Sequence, residues 1–472
     1  MQWLGTGFVA VIVLGAVGWL VSGGTGSDRG GMDMQGNVSG AGPGTPTDLA
    51  KAAEDPSLRT GSVEWREPVI VASGEAYQGP WRMNESDFRY VDAPAADFRP
   101  DGSLALVWVE QSRRDVFYQP YGDDGRPLTS EPVNVSRSPN VFSWLPRVGA
   151  GPEGTDHVYV LWQEIVFSGG SHGGEIFFAR STDGGESFSD PVNLSNTPAG
   201  AGKGRLGRHL WHNGSLDLAL GPDGSLYAAW TEYEGALRVA RSSDRGESFS
   251  EPVTVVSREG PATRGPSLAV ASDGTVHLAW TPGERPDADV LVARSDDGGS
   301  SFSEPRAAVE SPGHADAPKL AAARDGTLHL AYGESEEGPG GAYQVRYTRF
   351  TGNFEEPRTL ESPDPARGGG FPHLALDADD RPHLVWELFP NPGQRPMGLA
   401  TAAGVDGGRD FEEPAPLPGS LDPELGINGS LQGLLTSKLA VREDGLVAVV
   451  NSTFNPGQES RVLLYLGEKR GR

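Results

Sequence analysis

Across residues 62–472 the apolar positions fall in short β-patterned runs divided by turns. The clearest stretch, Pro266 to Ser311, reads PSLAVASDGTVHLAWTPGERPDADVLVARSDDGGSSFSEPRAAVES and holds four such runs. The second run recurs as LALVWVE ending at Glu110, VYVLWQE at Glu164, LYAAWTE at Glu232, VHLAW at Trp280, LHLAYGE at Glu334, PHLVWE at Glu387 and LVAVVN at Asn451, which makes seven copies. Most are preceded by a turn pair, among them Asp101-Gly102, Asp223-Gly224, Asp273-Gly274, Asp325-Gly326 and Asp444-Gly445. Such pairs predict tight hairpins between the first and second strands of each repeat.

The fourth run opens on an aromatic residue followed by an acid and a proline, at Phe188, Phe249, Phe302, Phe354 and Phe411, with a weaker copy at Thr129. The next copy falls due beyond Leu466 and is missing there. Residues 65–73, WREPVIVAS, match it at the front of the chain. A circular array whose first strand completes its last sheet accounts for the displacement and leaves no exposed edge. The expected fold class is all-β, a seven-bladed β-propeller over residues 62–472 closed by an N-terminal strand.

The region before it differs. Residues 3–21 form a 19-residue run without charge, long enough as a helix to span a bilayer core of ~30 Å. The run lacks a basic residue ahead of it, and Trp3 and Trp19 sit where interfacial aromatics would. Residues 1–22 are therefore expected to be a transmembrane anchor, the alternative being a signal peptide. Residues 23–61, rich in glycine and poor in large apolar side chains, are expected to be a flexible tether. This arrangement places the propeller on the periplasmic or extracellular side, with membrane proteins as expected partners.

Composition removes other classes. With 64 acidic against 39 basic side chains the net charge is −25, which repels nucleic acid. The chain has no cysteine, so disulfide scaffolds, cysteine metal sites and cysteine nucleophiles are excluded. No cofactor and no metal site is expected.

Between the third and fourth runs stands the phrase Ser-x-Asp-x-Gly-x-x-Phe. It is intact at Ser181, Asp183, Gly185 and Phe188, at Ser242, Asp244, Gly246 and Phe249, and at Ser295, Asp297, Gly299 and Phe302. The carboxylate accepts from turn amides, glycine supplies positive φ, and the aromatic ring packs between sheets, so the role expected is structural. These boxes resemble the Asp-box repeats of the sialidase-like β-propellers over residues 63–467. In sialidases the resemblance implies an arginine triad that grips a carboxylate, a tyrosine nucleophile paired with a glutamate, and an acidic general acid/base. The family's Phe/Tyr-Arg-Ile-Pro motif has no counterpart here, since Asp97-Phe98-Arg99-Pro100 falls at a hairpin turn.

All the long insertions fall on the face opposite the hairpin turns, at residues 74–90, 137–145, 165–174, 196–213, 389–396, 418–436 and 454–460. That face is the expected binding surface. At its centre the second strands end in Glu110, Glu164, Glu232, Glu334 and Glu387, and the first strands begin near Arg147, Lys319, His373 and Lys438. Acids and bases therefore meet round the channel mouth, either as ligand groups or as local ion pairs. The insertion at 202–212 carries Lys203, Arg205, Arg208, His209, Trp211 and His212 without an acid and suits a small anionic ligand or an acidic partner. The sequence favours a non-catalytic binding or scaffold subunit of a membrane assembly, with no catalytic residue assigned. The alternative is an exo-sialidase-like glycoside hydrolase or lyase acting on acidic sugars.

Overall fold

The structure, a computed structural model, describes residues 59–469 apart from 81, 83, 166–173, 198–203, 206–210, 213–214, 233–234, 258, 260–261, 284, 365–366, 392–393 and 430–436. Strands dominate, and each hairpin turn forms where the Asp-Gly pairs predict it. Gly102, Gly224, Gly274, Gly326 and Gly445 all take φ between +80° and +91°, a region closed to most side chains.

Six sheets are built from consecutive chain segments, each opening on its innermost strand. Those innermost strands are Val91–Phe98, Ser143–Ala150, Leu216–Leu220, Arg264–Val270, His314–Ala322 and Gly368–Leu376. Each sheet continues outward through two long antiparallel strands to short outer ones. The second strands carry the anchors of the core. Trp108, Trp162, Trp230, Trp280, Tyr332 and Trp386 occupy one repeat position, and all are buried. Large rings at that position fill the wedge between neighbouring sheets.

The remaining sheet is composite. The C-terminal strands Leu439–Val441, Leu446–Phe454 and Glu459–Lys469 pair in order, and Val69–Glu75 from the front of the chain adds to the last of them. Closure by an N-terminal strand is thus present, with Val69 opposite Leu464. This sheet differs from the other six because Val63–Trp65, Arg59–Thr60 and Ile427–Asn428 join it, for seven strands in all. The expectation of seven like blades is corrected to six regular blades and one composite closing sheet. The physical reason is that the first and last of the described strands, and Ile427–Asn428 from the 418–436 insertion, all meet at the point of closure.

The N-terminal expectations are corrected or left outside. Arg59 and Thr60 pair with Glu64 and Val63, so the end of the tether expected at 23–61 is already a hairpin. No helix among the described residues is long and apolar enough to cross a membrane, and the expected anchor at 1–22 lies outside the described residues.

Candidate functional site at the channel mouth

The Asp boxes lie at the hairpin ends away from the mouth, and all three fold alike. Ser181 Oγ donates to Asp183 Oδ1 at 2.6 Å, the Gly185 amide donates to Ser181 Oγ at 2.8 Å, and the Ser187 amide donates to Asp183 Oδ1 at 3.0 Å. The boxes at Asp244 and Asp297 repeat the pattern. Phe188 meets Tyr118 of the preceding blade edge-on at 5.3 Å, and Phe249 meets Phe178 at 4.8 Å. Phe302 packs against the cluster holding Tyr227. The boxes are therefore interblade fasteners.

The innermost strands build the mouth. In five blades the register slips by one residue near the start of this strand, and the residue at the slip takes positive φ: Ala93, Leu145, Gly265, Ala317 and Phe371, between +51° and +59°. Four of the five are not glycine, and each stores of order 1 kcal/mol of strain that the surrounding sheet must hold. A bulge of this kind re-aims the side chains that follow it.

Two residues beyond the bulge lies one level of the channel wall. Ala95, Arg147, Ser267, Lys319 and His373 each pair with the residue just before the core aromatic of the second strand, as Asp217 does in the blade without a bulge. Around the axis this level reads Ala95, Arg147, Asp217, Ser267, Lys319, His373, and then the closing sheet. Side chains here also clasp the next blade. Arg147 Nε stands 3.4 Å from Asp217 Oδ1, and Asp217 Oδ2 accepts the Leu268 amide at 2.8 Å. Ser267 Oγ accepts the Leu320 amide at 3.0 Å, and His373 Nδ1 accepts the Lys438 amide at 3.3 Å.

The electrostatics follow from crowding cations in a channel wall where Arg147, His373 and Lys438 are buried and Lys319 partly so. Burial, aided by Arg147 and opposed by Asp217, pulls the Lys319 ammonium down to about 8. Burial and the charges of Lys319, Lys438 and Arg147 drive His373 well below the usual histidine range, so its ring is neutral. Burial also lowers Arg147, against Asp217.

The glutamates expected at the mouth are mostly committed locally. Glu110 faces Arg113 at 3.7 Å, Glu232 accepts from Arg238 Nε at 3.1 Å, and Glu334 faces Arg346 at 3.3 Å. Glu164 accepts from Ser138 Oγ at 2.7 Å and Trp162 Nε1 at 3.0 Å, and burial raises its pKa. Glu387 is different: it is fully buried and reaches across to Lys438, whose Nζ lies 3.3 Å from Glu387 Oε1 and 2.5 Å from Asn451 Oδ1. The structure thus brings Arg147, Lys319, His373, Glu387 and Lys438 to the channel and leaves Glu164, Glu232 and Glu334 at hairpin ends. Lys203, Arg208 and His209 lie outside the described residues. Arg205, Trp211 and His212 belong to a two-stranded ribbon pairing Gly204 with His212 and Arg205 with Trp211, and their side chains also lie outside.

Several residues of the mouth were not singled out from sequence. Arg395, on the 389–396 insertion, lies in the field of Asp92, Tyr90 and Glu387, which oppose the lowering of its pKa by burial. Tyr90 arrives on the 74–90 insertion; its buried hydroxyl has no hydrogen-bond partner among the described residues, and burial and Asp92 push its pKa up. Arg264 Nη2 pairs with Asp316 Oδ2 at 2.6 Å; burial works against the Asp316 carboxylate, but Arg264 and His314 outweigh it and hold the group at about 2. Asn428, from the 418–436 insertion, is buried and accepts from the Asn451 amide. Asn428 and Asn451 fall in glycosylation-type triplets, yet both are closed to solvent. Asp217 could have been found by aligning the first strands. Tyr90 and Arg395 could not, because insertions carry no repeat register.

Among the described residues no cluster of histidine, aspartate and glutamate is arranged to hold a metal ion. The arrangement can take part in recognition of anions: the buried Arg147 and Lys438, the partly buried Lys319, and the guanidinium groups of Arg264 and Arg395 stand among a few carboxylates in an acidic chain.

No family model and no curated protein sequence matches the chain. Solved structures do resemble it. An ulvan lyase of a polysaccharide-lyase family, bound to -[GlcA(1-4)Rha3S]-, aligns with TM-score 0.51 at 12% identity, covering 84% of this chain and 95% of that one. A protein of unknown function from Dyadobacter fermentans aligns with TM-score 0.48 at 14% identity, covering 87% and 100%. The intramolecular trans-sialidase from Ruminococcus gnavus aligns with TM-score 0.43 at 11% identity, covering 64% and 90%. The class that the fold defines is the β-propeller; identities this low speak to fold alone.

Proposed function

We propose that this protein is an extracytoplasmic β-propeller, its composite sheet counting as a seventh blade, that binds an acidic glycan at the channel mouth and cleaves it as a glycoside hydrolase or lyase. One observation carries the reading. In a chain with a net charge of −25, Arg147, Arg264, Lys319, Arg395 and Lys438 stand about the axis against Asp92, Asp217, Asp316 and Glu387. A mouth with one more cation than carboxylate, in a chain this acidic, favours anionic ligands there over the rest of the surface. The reading agrees with the lyase of similar fold, whose bound saccharide contains GlcA. Placement outside the cytoplasm rests on the uncharged run at 3–21.

Arg395, in the field of Tyr90 and Asp92, would supply the charge that holds a sugar carboxylate. The test is incubation of the full chain with uronate-containing and sialylated glycans, following reducing-end release, the ultraviolet absorbance of an unsaturated product, and binding by calorimetry. Turnover or binding of an acidic glycan, weakened about tenfold or more in Arg395→Ala, is the expected result. Absence of binding to every acidic glycan refutes the proposal. Binding without turnover would replace it with the non-catalytic subunit.

A further inference from the structure

We infer that Lys438 and Asn451 become joined by an isopeptide bond, which the folded chain forms on itself with Glu387 as the proton carrier. The inference goes beyond the glycan reading and leaves it intact, because the reaction removes one cation and one carboxylate together.

The first observation is placement. Five second strands end in Glu110, Glu164, Glu232, Glu334 and Glu387, whereas the same phrase in the closing sheet ends in Asn451. An acid is thereby exchanged for a carboxamide, whose carbonyl carbon an amine can attack. Lys438 stands beside it, just ahead of the strand Leu439–Val441. Its carbonyl accepts the Val450 amide at 2.8 Å, and its own amide donates to His373 Nδ1 at 3.3 Å. The backbone that carries the amine is thus held from both sides.

The second is proximity. Lys438 Nζ donates to Asn451 Oδ1 at 2.5 Å and lies 3.3 Å from Glu387 Oε1. An amide C=O is about 1.23 Å long, so Nζ is no farther than about 3.7 Å from Cγ. Bonds form from separations of about 3–3.5 Å. Asn451 Nδ2 donates to Asn428 Oδ1, and Asn428 Nδ2 donates to the Ser420 carbonyl. This relay of amides fixes which atom of Asn451 faces the amine.

The third is burial. Lys438, Glu387 and Asn451 are each 0% exposed. Away from water a neutral amine beside a carboxylic acid gains on the charged pair, and a neutral amine is a nucleophile. Nζ passes a proton to Glu387, and its lone pair forms the bond to Cγ while the carbonyl electrons move to Oδ1. A second proton travels from Nζ through Glu387 to Nδ2. The Cγ–Nδ2 bond breaks as the carbonyl re-forms, and ammonia leaves. The products are a neutral amide, ammonia and a protonated Glu387, so atoms and charge balance without a co-reactant. The chain has no cysteine, and a covalent staple in its closing sheet cannot be a disulfide. The Lys438–Glu387 ion pair belongs to the chain before this reaction, and its energetics are read in an Asn451→Ala background, which cannot react.

The purified full chain is weighed intact by mass spectrometry and then digested with trypsin. A mass about 17 Da below that of the sequence is expected, the loss of one ammonia. Residues 410–442 should emerge joined to residues 443–461, since a bonded Lys438 resists cleavage. The joined peptide should be absent in Lys438→Met and in Asn451→Ala, and should fall about tenfold or more in Glu387→Gln. Residues 443–461 released alone from wild type at full mass overturn the bond, a result that does not depend on any variant folding. A loss of ammonia that persists in Lys438→Met marks a succinimide and also overturns it. An undiminished yield in Glu387→Gln overturns the role given to Glu387. Glycan binding at the rim is measured separately and stands or falls without regard to the mass.

Discussion

Replacing Lys319 by methionine should make the protein more stable at neutral pH, and the gain should vanish in alkali. In the folded state burial and Arg147 hold the Lys319 ammonium at about 8, against 10.5 for an ordinary lysine. At about 1.4 kcal/mol for each tenfold change, that interval corresponds to roughly 3 kcal/mol. Because the folded pKa of a base is depressed, its charged form is disfavoured by folding. The penalty is present in full below about pH 8 and is relieved as the pH rises towards 10.5, where lysine is neutral folded or unfolded. Methionine carries no charge at any pH and fills a similar volume. The difference in unfolding free energy between variant and wild type should therefore fall by roughly 3 kcal/mol from pH 7 to pH 10.5. Urea denaturation of both proteins across that range measures it, and the buried tyrosines cancel because both proteins contain them. A difference that stays flat, or widens with pH, would refute the claim that Lys319 is held charged in a desolvated ring.

Other outcomes follow from features already described. Lys438→Met should cost about 3–5 kcal/mol because it strands the fully buried Glu387 carboxylate, and adding Glu387→Leu should restore most of the loss; chemical denaturation of the two variants tests this. Gly185→Ala should lower Tm strongly, since φ is +91° and a Cβ there would lie 2.0 Å from the Tyr118 ring, whereas Gly274→Ala, at φ +87° with open space around it, should cost only about 1 kcal/mol. Produced in a glycosylating host, folded protein should carry no glycan on Asn428 or Asn451, which mass spectrometry of the intact chain and its peptides would show.

The repeat was legible because it is written twice, in strand periodicity and in the Asp-Gly turns. Each second strand fell where the phrase placed it, and the displaced WREPVIVAS was found pairing with the last strand, although Pro68 splits it into Val63–Trp65 and Val69–Glu75. The composite character of that last sheet was not legible, since the strand Ile427–Asn428 is contributed by an insertion with no repeat pattern. At the mouth, Arg147, Lys319 and His373 were visible as polar residues at a position that holds alanine, aspartate or serine in the other regular blades. The bulges that orient them have no residue signature, four of the five lying at Ala93, Leu145, Ala317 and Phe371 rather than at glycine. The glutamates at the strand ends looked equivalent in sequence, and only the partners reaching each one separated Glu387 from the rest.

The clasp between Val69 and Leu464 joins positions about 400 residues apart, which puts it among the most non-local contacts a chain of this length can make. Bringing such distant segments together costs roughly 5 kcal/mol of chain entropy before any pairing compensates. A nascent chain leaving the ribosome can assemble its blades in order, yet the last edge stays open until Glu459–Lys469 has emerged and met a strand made long before. The waiting period is when the protein is most exposed to misassembly with a second unfinished copy. Once the two segments have met, opening the ring requires both to part together, so unfolding should be slow even where overall stability is modest.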